Sequence, residues 1–337
     1  MRMMRWAGCC KGLAYVQGMS RVLPLSGHSL HHRECFLNQP GRRFVYGFSL
    51  SADLFQLFLF DRNGAVQSSS LNIHSDSVAF VQAIRFLASP CLANVGFDPS
   101  VYWENGSQFI DITSRLDDSL VSVKYQVDSV LFRNPPFNGC GTVCWGVRRF
   151  GQDELFVVKD IWRREDGGDL DEDFLAISAR KAIPGVIKLL LVDQTFKERP
   201  FSTAAHRRAQ GLATSDAQNL SFFRLVFERA GPSIRHFKSG LQLLQALRTA
   251  IDSMSLFISI HAFLNGPSPA HWRLVKAGIL HRDIRPSNIL LGKEDGSGPH
   301  SLLIDFKAAT RCHRGEVLAD HDSLVVSFYC YWNLFWE

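Results

Sequence analysis

The spacing of apolar residues changes along this chain. Up to about residue 230 they come in short runs or alternate with polar residues, and beyond it they recur every three or four positions. "LFQLFLFD" (54–61) and "AVQSSSLNI" (65–73) flank Arg62-Asn63-Gly64. Asn and Gly both accept positive φ, so the stretch from 43 to 73 predicts a hairpin centred on that pair. In "SVAFVQAIRFLA" (77–88), Phe80, Ala83, Ile84 and Leu87 fall at helical spacing. Residues 41–120 therefore read as a small α/β region, and nothing in them points to chemistry.

Strand signals dominate from residue 121. "VSVKYQVDSVLF" alternates, and "GCGTVCWGVRR" pairs with "ELFVVKDIW" across a turn at 151–154. A polar helix follows at 170–182, then "GVIKLLLV" (185–192) as a buried strand. Residues 193–220 are polar and irregular and read as a loop. "FFRLVFERAG" (222–231) is a strand running into a Gly-Pro turn. Helical spacing takes over after that: Ser239 and Gln242 form a capping box, and Leu243, Leu244, Leu247 and Ile251 make one apolar face. Strands first and helices afterwards predict an α+β fold with two lobes of different character.

Composition narrows the setting. With 337 residues and 46% hydrophobic content the chain can bury at least one sizeable core, and 20% charged residues argue against long disorder. The net charge of +5 is mild and scattered, so no nucleic-acid or membrane partner is expected. Eight cysteines show no disulfide or zinc spacing; Cys140 and Cys144 read as small hydrophobes, and the expected setting is reducing and intracellular, cytoplasmic or nuclear. No apolar run reaches the roughly 18 residues of a membrane span. "LVVSFYCYWNLFW" (324–336) reads as a buried helix cut off at its end. The first 40 residues hold a single acid, Glu34, and read as a disordered extension rather than a transit peptide.

The chemistry concentrates in "HRDIRPSNILL" (281–291). Asp283 is placed to accept a hydroxyl proton and Asn288 to hold a metal. Pro286-Ser287 keeps the intervening loop non-helical, so that both side chains can face one cleft. The plainer alternative is a surface turn before a strand. Asp305 closes the strand of "SLLIDFKAA"; "NILLG" and "HSLLIDF" form a hairpin that sets it beside Asn288, a pair of oxygen donors suited to magnesium. Lys159 shares a strand face with Leu155 and Val157. It is either a snorkelling strand-end lysine or a cation for the α- and β-phosphates of a nucleotide. Glu172 is its expected helix carboxylate, with Asp173 as the second choice. Gly139 and Gly141 could cover phosphates with backbone N–H groups, although Cys144 stands at the third position of a G-x-G-x-x-G pattern. Phosphoryl transfer needs these parts: positioning, metal ions and a proton acceptor.

"HRDIRPSN" with "IDF" and "VVK" resembles the eukaryotic protein kinase signature set. "FVYGF", "FDRNGAVQSS", "GFDP", "GCGTVCWGVRR", "VVKDIW", "FKSGLQLLQALRTAI" and "GILHRDI" are similar to the fungal-type protein kinase family over residues 40 to 335. The resemblance implies a bilobal, protein-kinase-like α+β fold. Residues 1–40 would be the extension, 41–120 a family-specific N-terminal region, 121–231 the β-rich N-lobe and 232–337 a partial helical C-lobe. It also implies ATP and magnesium as cofactors. Lys159 would meet the α/β-phosphates, Asp283 would be the base, and Asn288 and Asp305 the metal ligands. The strand end from Glu228 to Ala230 would bond the adenine. Arg285, where Ser/Thr kinases usually carry Lys, favours protein Ser/Thr hydroxyls as substrate, and Arg282 counts against a small-molecule kinase.

Three departures accompany the resemblance. Lys307 replaces the Gly of Asp-Phe-Gly, which affects loop flexibility rather than a ligand. "SLFISIHAFLNGPSPA" (255–270) interrupts a helical pattern that closes up when it is removed, as a retained intron or an extra loop would. The segment after Asp305 is short and has no Ala-Pro-Glu-like element. Two readings of different class therefore stand: a protein Ser/Thr kinase, and a non-catalytic kinase-like module or truncated product. In the second, a protein partner covers the exposed C-terminal helix.

Overall fold

The computed structural model describes residues 5–7, 11–14, 34–116, 119–133, 141–164, 171–198, 201–212, 219–251, 274, 277–292 and 298–311. The N-terminal extension is thus covered only in part, by the antiparallel pair β1 (Arg5–Ala7) and β2 (Lys11–Ala14) and by residues from 34 onward. The segment 255–270 and the C-terminal run 324–336 lie outside the described residues. The chain forms two compact units, Met1–Gly167 with Leu191–Val226, and Gly168–Leu190 with Phe227–Glu337.

In the first unit, β3 (Phe44–Ser51), β4 (Leu54–Asp61) and β5 (Gly64–Gln67) run antiparallel in that order, and β6 (Leu71–Asn72) pairs with the start of β4. The expected hairpin is present with its turn displaced by one residue. Asp61 pairs with Gly64, so Arg62 and Asn63 occupy the bend. The Asn63 N–H donates to Asp61 Oδ1 at 2.8 Å, a local bond that keeps Asn63 out of the left-handed region and leaves Gly64 alone at φ 111°. Helix α1 (Ser77–Leu87) lies on this sheet through Phe80, which packs edge-on against Phe55 at 5.3 Å, and through fully buried Ala83. Ile84 belongs to the solvent side with Val78 and Val81 instead of the expected inner face.

A seven-stranded sheet follows. Its order is β12 (Leu189–Val192), β13 (Leu220–Glu228), β11 (Leu155–Arg164), β10 (Val143–Arg149), β9 (Ser119–Arg133), β8 (Ser107–Leu116) and β7 (Val101–Glu104). Strands on either side of residue 120 therefore share one sheet, the β8–β9 ladder running from Phe109↔Gln126 to Leu116↔Ser119. Alternation along β11 is clean. Phe156, Val158 and Asp160 are buried, while Leu155, Val157 and Lys159 stay half-exposed on the other face. Behind the buried side, Ile110, Ile112, Tyr125, Val143, Trp145, Val147 and Val226 complete the core. "GVIKLLLV" is corrected: only Leu189–Val192 is strand, at the sheet's edge, because Leu303 takes up the backbone of Gly185 to Ile187.

The loop expected at 193–220 contains two helices, α3 (Gln194–Glu198) and α4 (Thr203–Ala209). Both are too short to show a period, but Ser202 caps α4, accepting the Ala205 N–H at 3.1 Å. From α4, Arg207 binds buried Asp61 through two bonds of 2.7 Å, tying the helix to the N-terminal sheet. His206 stacks on Phe44 at 4.0 Å and against Phe201 at 5.6 Å. Burial, with Arg207 alongside, pushes its pKa from 6.5 down to about 4. The folded state thus keeps the imidazole neutral where the unfolded chain protonates it. Stability is therefore complete above about pH 6.5 and falls on acidification until about pH 4, by about 3 kcal/mol in total at 1.36 kcal/mol per pKa unit. Urea titrations at pH 7 and 4.5 are expected to show most of that loss in the native sequence and a clearly smaller one in His206→Phe. His281 is shifted the same way and contributes equally to both proteins, so equal losses would contradict the assignment.

The second unit contains α2 (Asp171–Arg180), α5 (Gly240–Ile251) and two short ladders, β14 (Ile279–Leu280) with β17 (Thr310–Arg311) and β15 (Ile289–Leu291) with β16 (Ser301–Leu303). Ser239 caps α5 by accepting the Gln242 N–H at 3.1 Å, while the Gln242 side chain bonds the Lys238 N–H at 2.6 Å, one residue before the expected partner. The inner face of α5 is built on Ala246 and Ala250, and Leu244, expected on it, is 66% exposed. Small residues let α5 approach β16 closely enough for the Ser301 hydroxyl to donate to Ala246 O at 2.8 Å.

Candidate active site

The two ladders of the second unit bracket two loops. Residues 281–288 run from β14 to β15, and residues 304–309 run from β16 to β17. Pairing Ile289 with Leu303 places Asn288 opposite Ile304, whose N–H donates to Asn288 O at 3.0 Å, so Asp305 follows directly beside it. The hairpin read from "NILLG" and "HSLLIDF" is the device that brings these loops together. Arg285 is extended, as a residue before proline must be, but Pro286–Asn288 close a single 3₁₀ turn where a wholly non-helical loop was expected.

Within the first loop, the Asn288 amide Nδ2 donates to Asp283 twice, to the backbone O and to Oδ2, both at 2.9 Å. Arg285 Nη2 pairs with the same Oδ2 at 3.2 Å. Asp283 Oδ1 has no bonding partner among the described residues, and the Asp283 side chain is 32% exposed. One carboxylate oxygen is therefore held by two partners on a side chain that stays partly exposed. With its nitrogen committed to Asp283, Asn288 keeps Oδ1 as a hard oxygen donor, which here accepts the Ser287 hydroxyl at 3.4 Å.

His281 joins the two loops from beneath. Burial holds its pKa below the ordinary imidazole range, so the ring is neutral. Nε2–H donates to Ile304 O at 3.1 Å, leaving Nδ1 to accept the Asp283 N–H at 3.4 Å. Its ring meets Phe306 edge-on at 4.7 Å. Arg282 and Asp305, on either side of this contact, both adopt left-handed backbone (φ 65° and 67°), a conformation that costs a non-glycine residue about 1 kcal/mol or more. Helix α2, which carries Glu172, lies against the 306–308 turn. At the end of β13, the Glu228 N–H donates to Lys188 O at 3.2 Å and its Oε1 accepts the Lys188 N–H at 3.3 Å; Ala230 is half-buried, and the adjacent Gly231 N–H bonds Leu291 O at 3.1 Å.

Lys159 and Gly141 belong to the first unit. Lys159 pairs across the ladder with Cys144 on the half-exposed face of β11. Gly141 lies just before β10 at φ 39°, left-handed backbone that favours glycine, and a Cβ there would stand 2.7 Å from the Arg62 guanidinium. Gly139 lies outside the described residues. The donor set fits the hard-oxygen preference of magnesium: an amide oxygen from Asn288 and a carboxylate from Asp305, one on each of the two neighbouring loops. Sequence reasoning missed Arg224, Asp160 and Asp98, which form a buried ionic cluster beside Lys159. The available signal was an arginine inside the apolar strand "FFRLVF".

A family model described as fungal protein kinase matches residues 24–323. The chain belongs to the fungal protein kinase family. The resemblance drawn from its motifs is thereby borne out, as is the α+β, kinase-like fold class that followed from it. No curated protein matches the sequence. Among solved structures, the PK-1 kinase of Cydia pomonella granulovirus aligns over 56% of this fungal-type chain at 14% identity, with a TM-score of 0.31. The aligned part spans 55% of the viral chain. Among the described residues no helix is long and apolar enough to cross a membrane.

Proposed function

We propose that this fungal protein kinase family member transfers the terminal phosphoryl group of ATP to Ser or Thr hydroxyls of protein substrates, with magnesium as cofactor. The observation that supports this best is the partly exposed Asp283 carboxylate, with Oδ2 fixed by Asn288 and Arg285. That arrangement suits a group that orients a substrate hydroxyl and takes its proton. Arg285 pairs with the carboxylate and holds it in place. Asn288 Oδ1 and Asp305 are the residues that would hold magnesium, which when bound neutralises charge on the phosphates. Lys159 is the cation for the α- and β-phosphates, and the backbone from Glu228 to Ala230 is the segment for the adenine.

A second reading is a kinase-like module that binds without catalysing. It is favoured by the short sequence between Asp305 and His321, which has no Ala-Pro-Glu-like element to seat a peptide. Nucleotide binding tests the shared premise. Magnesium-ATP is expected to raise the melting temperature of the native protein. Lys159→Ala and Asp305→Ala are expected to lose that rise while melting close to the native value without nucleotide. No rise at millimolar ATP would remove the transfer reading.

A further inference from the structure

Lys159 ends the half-exposed face of β11, and the next residue, Asp160, points to the buried side of the same strand. There it meets an arginine with no access to solvent. Arg224, on β13, donates through Nε to Asp160 Oδ1 at 2.6 Å and through Nη2 to Oδ2 at 3.0 Å. Trp145 Nε1, on β10, donates to the same Oδ2 at 2.9 Å. The other side of the guanidinium is taken by the N-terminal region: Nη2 reaches Asp98 Oδ2 at 2.9 Å and Nη1 reaches Ser100 Oγ at 2.6 Å. Asp98 Oδ1 in turn accepts from the Ser100 hydroxyl at 2.7 Å and pairs with Arg43 Nη2 at 2.5 Å. The rings of Phe196 and Phe201 lie about 5 Å from the Arg43 guanidinium and close the cluster off.

Two arginines and two aspartates are bonded in the cluster, and a third buried aspartate, Asp193, acts on Arg224 from beside it. Well-packed apolar residues of the same volume would hold such a site together at least as firmly as buried ion pairs do. What bidentate ionic contacts add is a narrow tolerance in position, because both N–H vectors must meet both oxygens. The strand fixed in this way is the one that carries Lys159. The residues that fix it, Arg43, Asp98 and Ser100, come from the part of the chain in which the sequence shows no chemistry.

We propose that Arg224, gripped by Asp98 and Ser100 with Arg43 holding Asp98 in turn, is a positioning residue for Lys159, and that the N-terminal region serves this kinase by fixing β11 at Asp160. The inference rests on Lys159 acting as the cation for the nucleotide phosphates. It makes residues 41–100 part of the nucleotide-binding apparatus without any of them touching nucleotide.

The test compares ATP with adenosine, which has no phosphates and makes no use of Lys159. Binding of each with magnesium is measured by calorimetry on the full chain, native and Asp98→Asn, at a temperature where circular dichroism shows both folded. Asp98→Asn is expected to weaken ATP at least fivefold and adenosine less than twofold, and to weaken ATP no further when Lys159 is already alanine. Arg43→Lys, which keeps the charge but alters the contact with Asp98, is expected to show the same selective loss and takes over if Asp98→Asn does not fold. Equal weakening of both ligands, or of neither, would show a purely structural cluster and overturn the positioning role. If Lys159→Ala alone leaves ATP affinity unchanged, the phosphate-cation reading fails first and the positioning role with it.

Discussion

Replacing Arg224 with alanine is expected to cost the first unit about 3–5 kcal/mol, the range for breaking a buried ion pair by removing one partner. The side chains of Asp98 and Asp160 are only 2% and 4% exposed, so neither can recover water in place of the lost guanidinium. The loss is a large share of the 5–15 kcal/mol that holds a typical domain together. Its pH dependence identifies the cause. Burial works against the Asp98 carboxylate, but Arg224 and Arg43 outweigh it and bring its pKa down to about 2. In the native protein this pair stabilises above the unfolded value near 4 and loses that contribution as the pH falls toward 2. In Arg224→Ala the buried Asp98 carboxylate loses its main counter-charge and protonates more readily on folding. The gap between the two proteins is therefore expected to narrow from pH 7 to pH 4. Replacing Arg224 by Met together with Asp98→Asn and Asp160→Asn removes the charges in concert and is expected to recover much of the loss. Urea unfolding of the first unit, followed by the fluorescence of Trp145 and Trp162, measures each quantity. A gap that does not change with pH would assign the loss to lost packing volume instead.

The contrast between this cluster and the catalytic loop explains what could be read from the sequence. Asp283, Arg285 and Asn288 lie within six consecutive residues, and the hairpin that adds Asp305 has only a short connection, so spacing alone brings these groups together. Arg43, Asp98, Asp160 and Arg224 are joined only by the pairing order of a seven-stranded sheet and the region packed behind it. No periodicity records such a meeting. Local chemistry accounts for the smaller differences in the same way. The Asp61 carboxylate captures the Asn63 N–H and moves the turn by one residue, and a five-residue helix such as α3 ends before a period can repeat. On α5 the leucine spacing was visible, but the face that packs is set by Ala246 and Ala250, where close approach to β16 outweighs side-chain size. Burial on the two faces of β11 was half legible: the run Leu155, Val157, Lys159 was plain, while its partner face includes an acid, Asp160, that sequence alone would place in water.

Asp283→Asn is expected to have the largest effect on activity. It should lower the rate of phosphoryl transfer about 10²–10⁴-fold, the range attributed to a positioned general base. The substitution keeps the size of the side chain and an oxygen able to accept the Asn288 Nδ2–H, so the 2.9 Å contact that shapes the loop can persist. It removes the charge that pairs with Arg285, but that pair is partly exposed, at 41% and 32%, and exposed pairs contribute about 0–1 kcal/mol. Folding stability should therefore change by no more than about 1 kcal/mol. Magnesium-ATP affinity, which depends on Lys159, Asn288 and Asp305 in the proposed scheme, should stay within about threefold, a difference under 1 kcal/mol. Single-turnover transfer to a Ser/Thr peptide mixture, run beside calorimetric ATP binding, separates these effects. Slow transfer with intact binding assigns the proton-accepting role to Asp283. Transfer within tenfold of the native rate would remove that role and move attention to another oxygen of the loop. Binding without transfer in the native protein would instead favour the non-catalytic module, with the 281–288 loop retained for its hold on the 304–309 turn through His281.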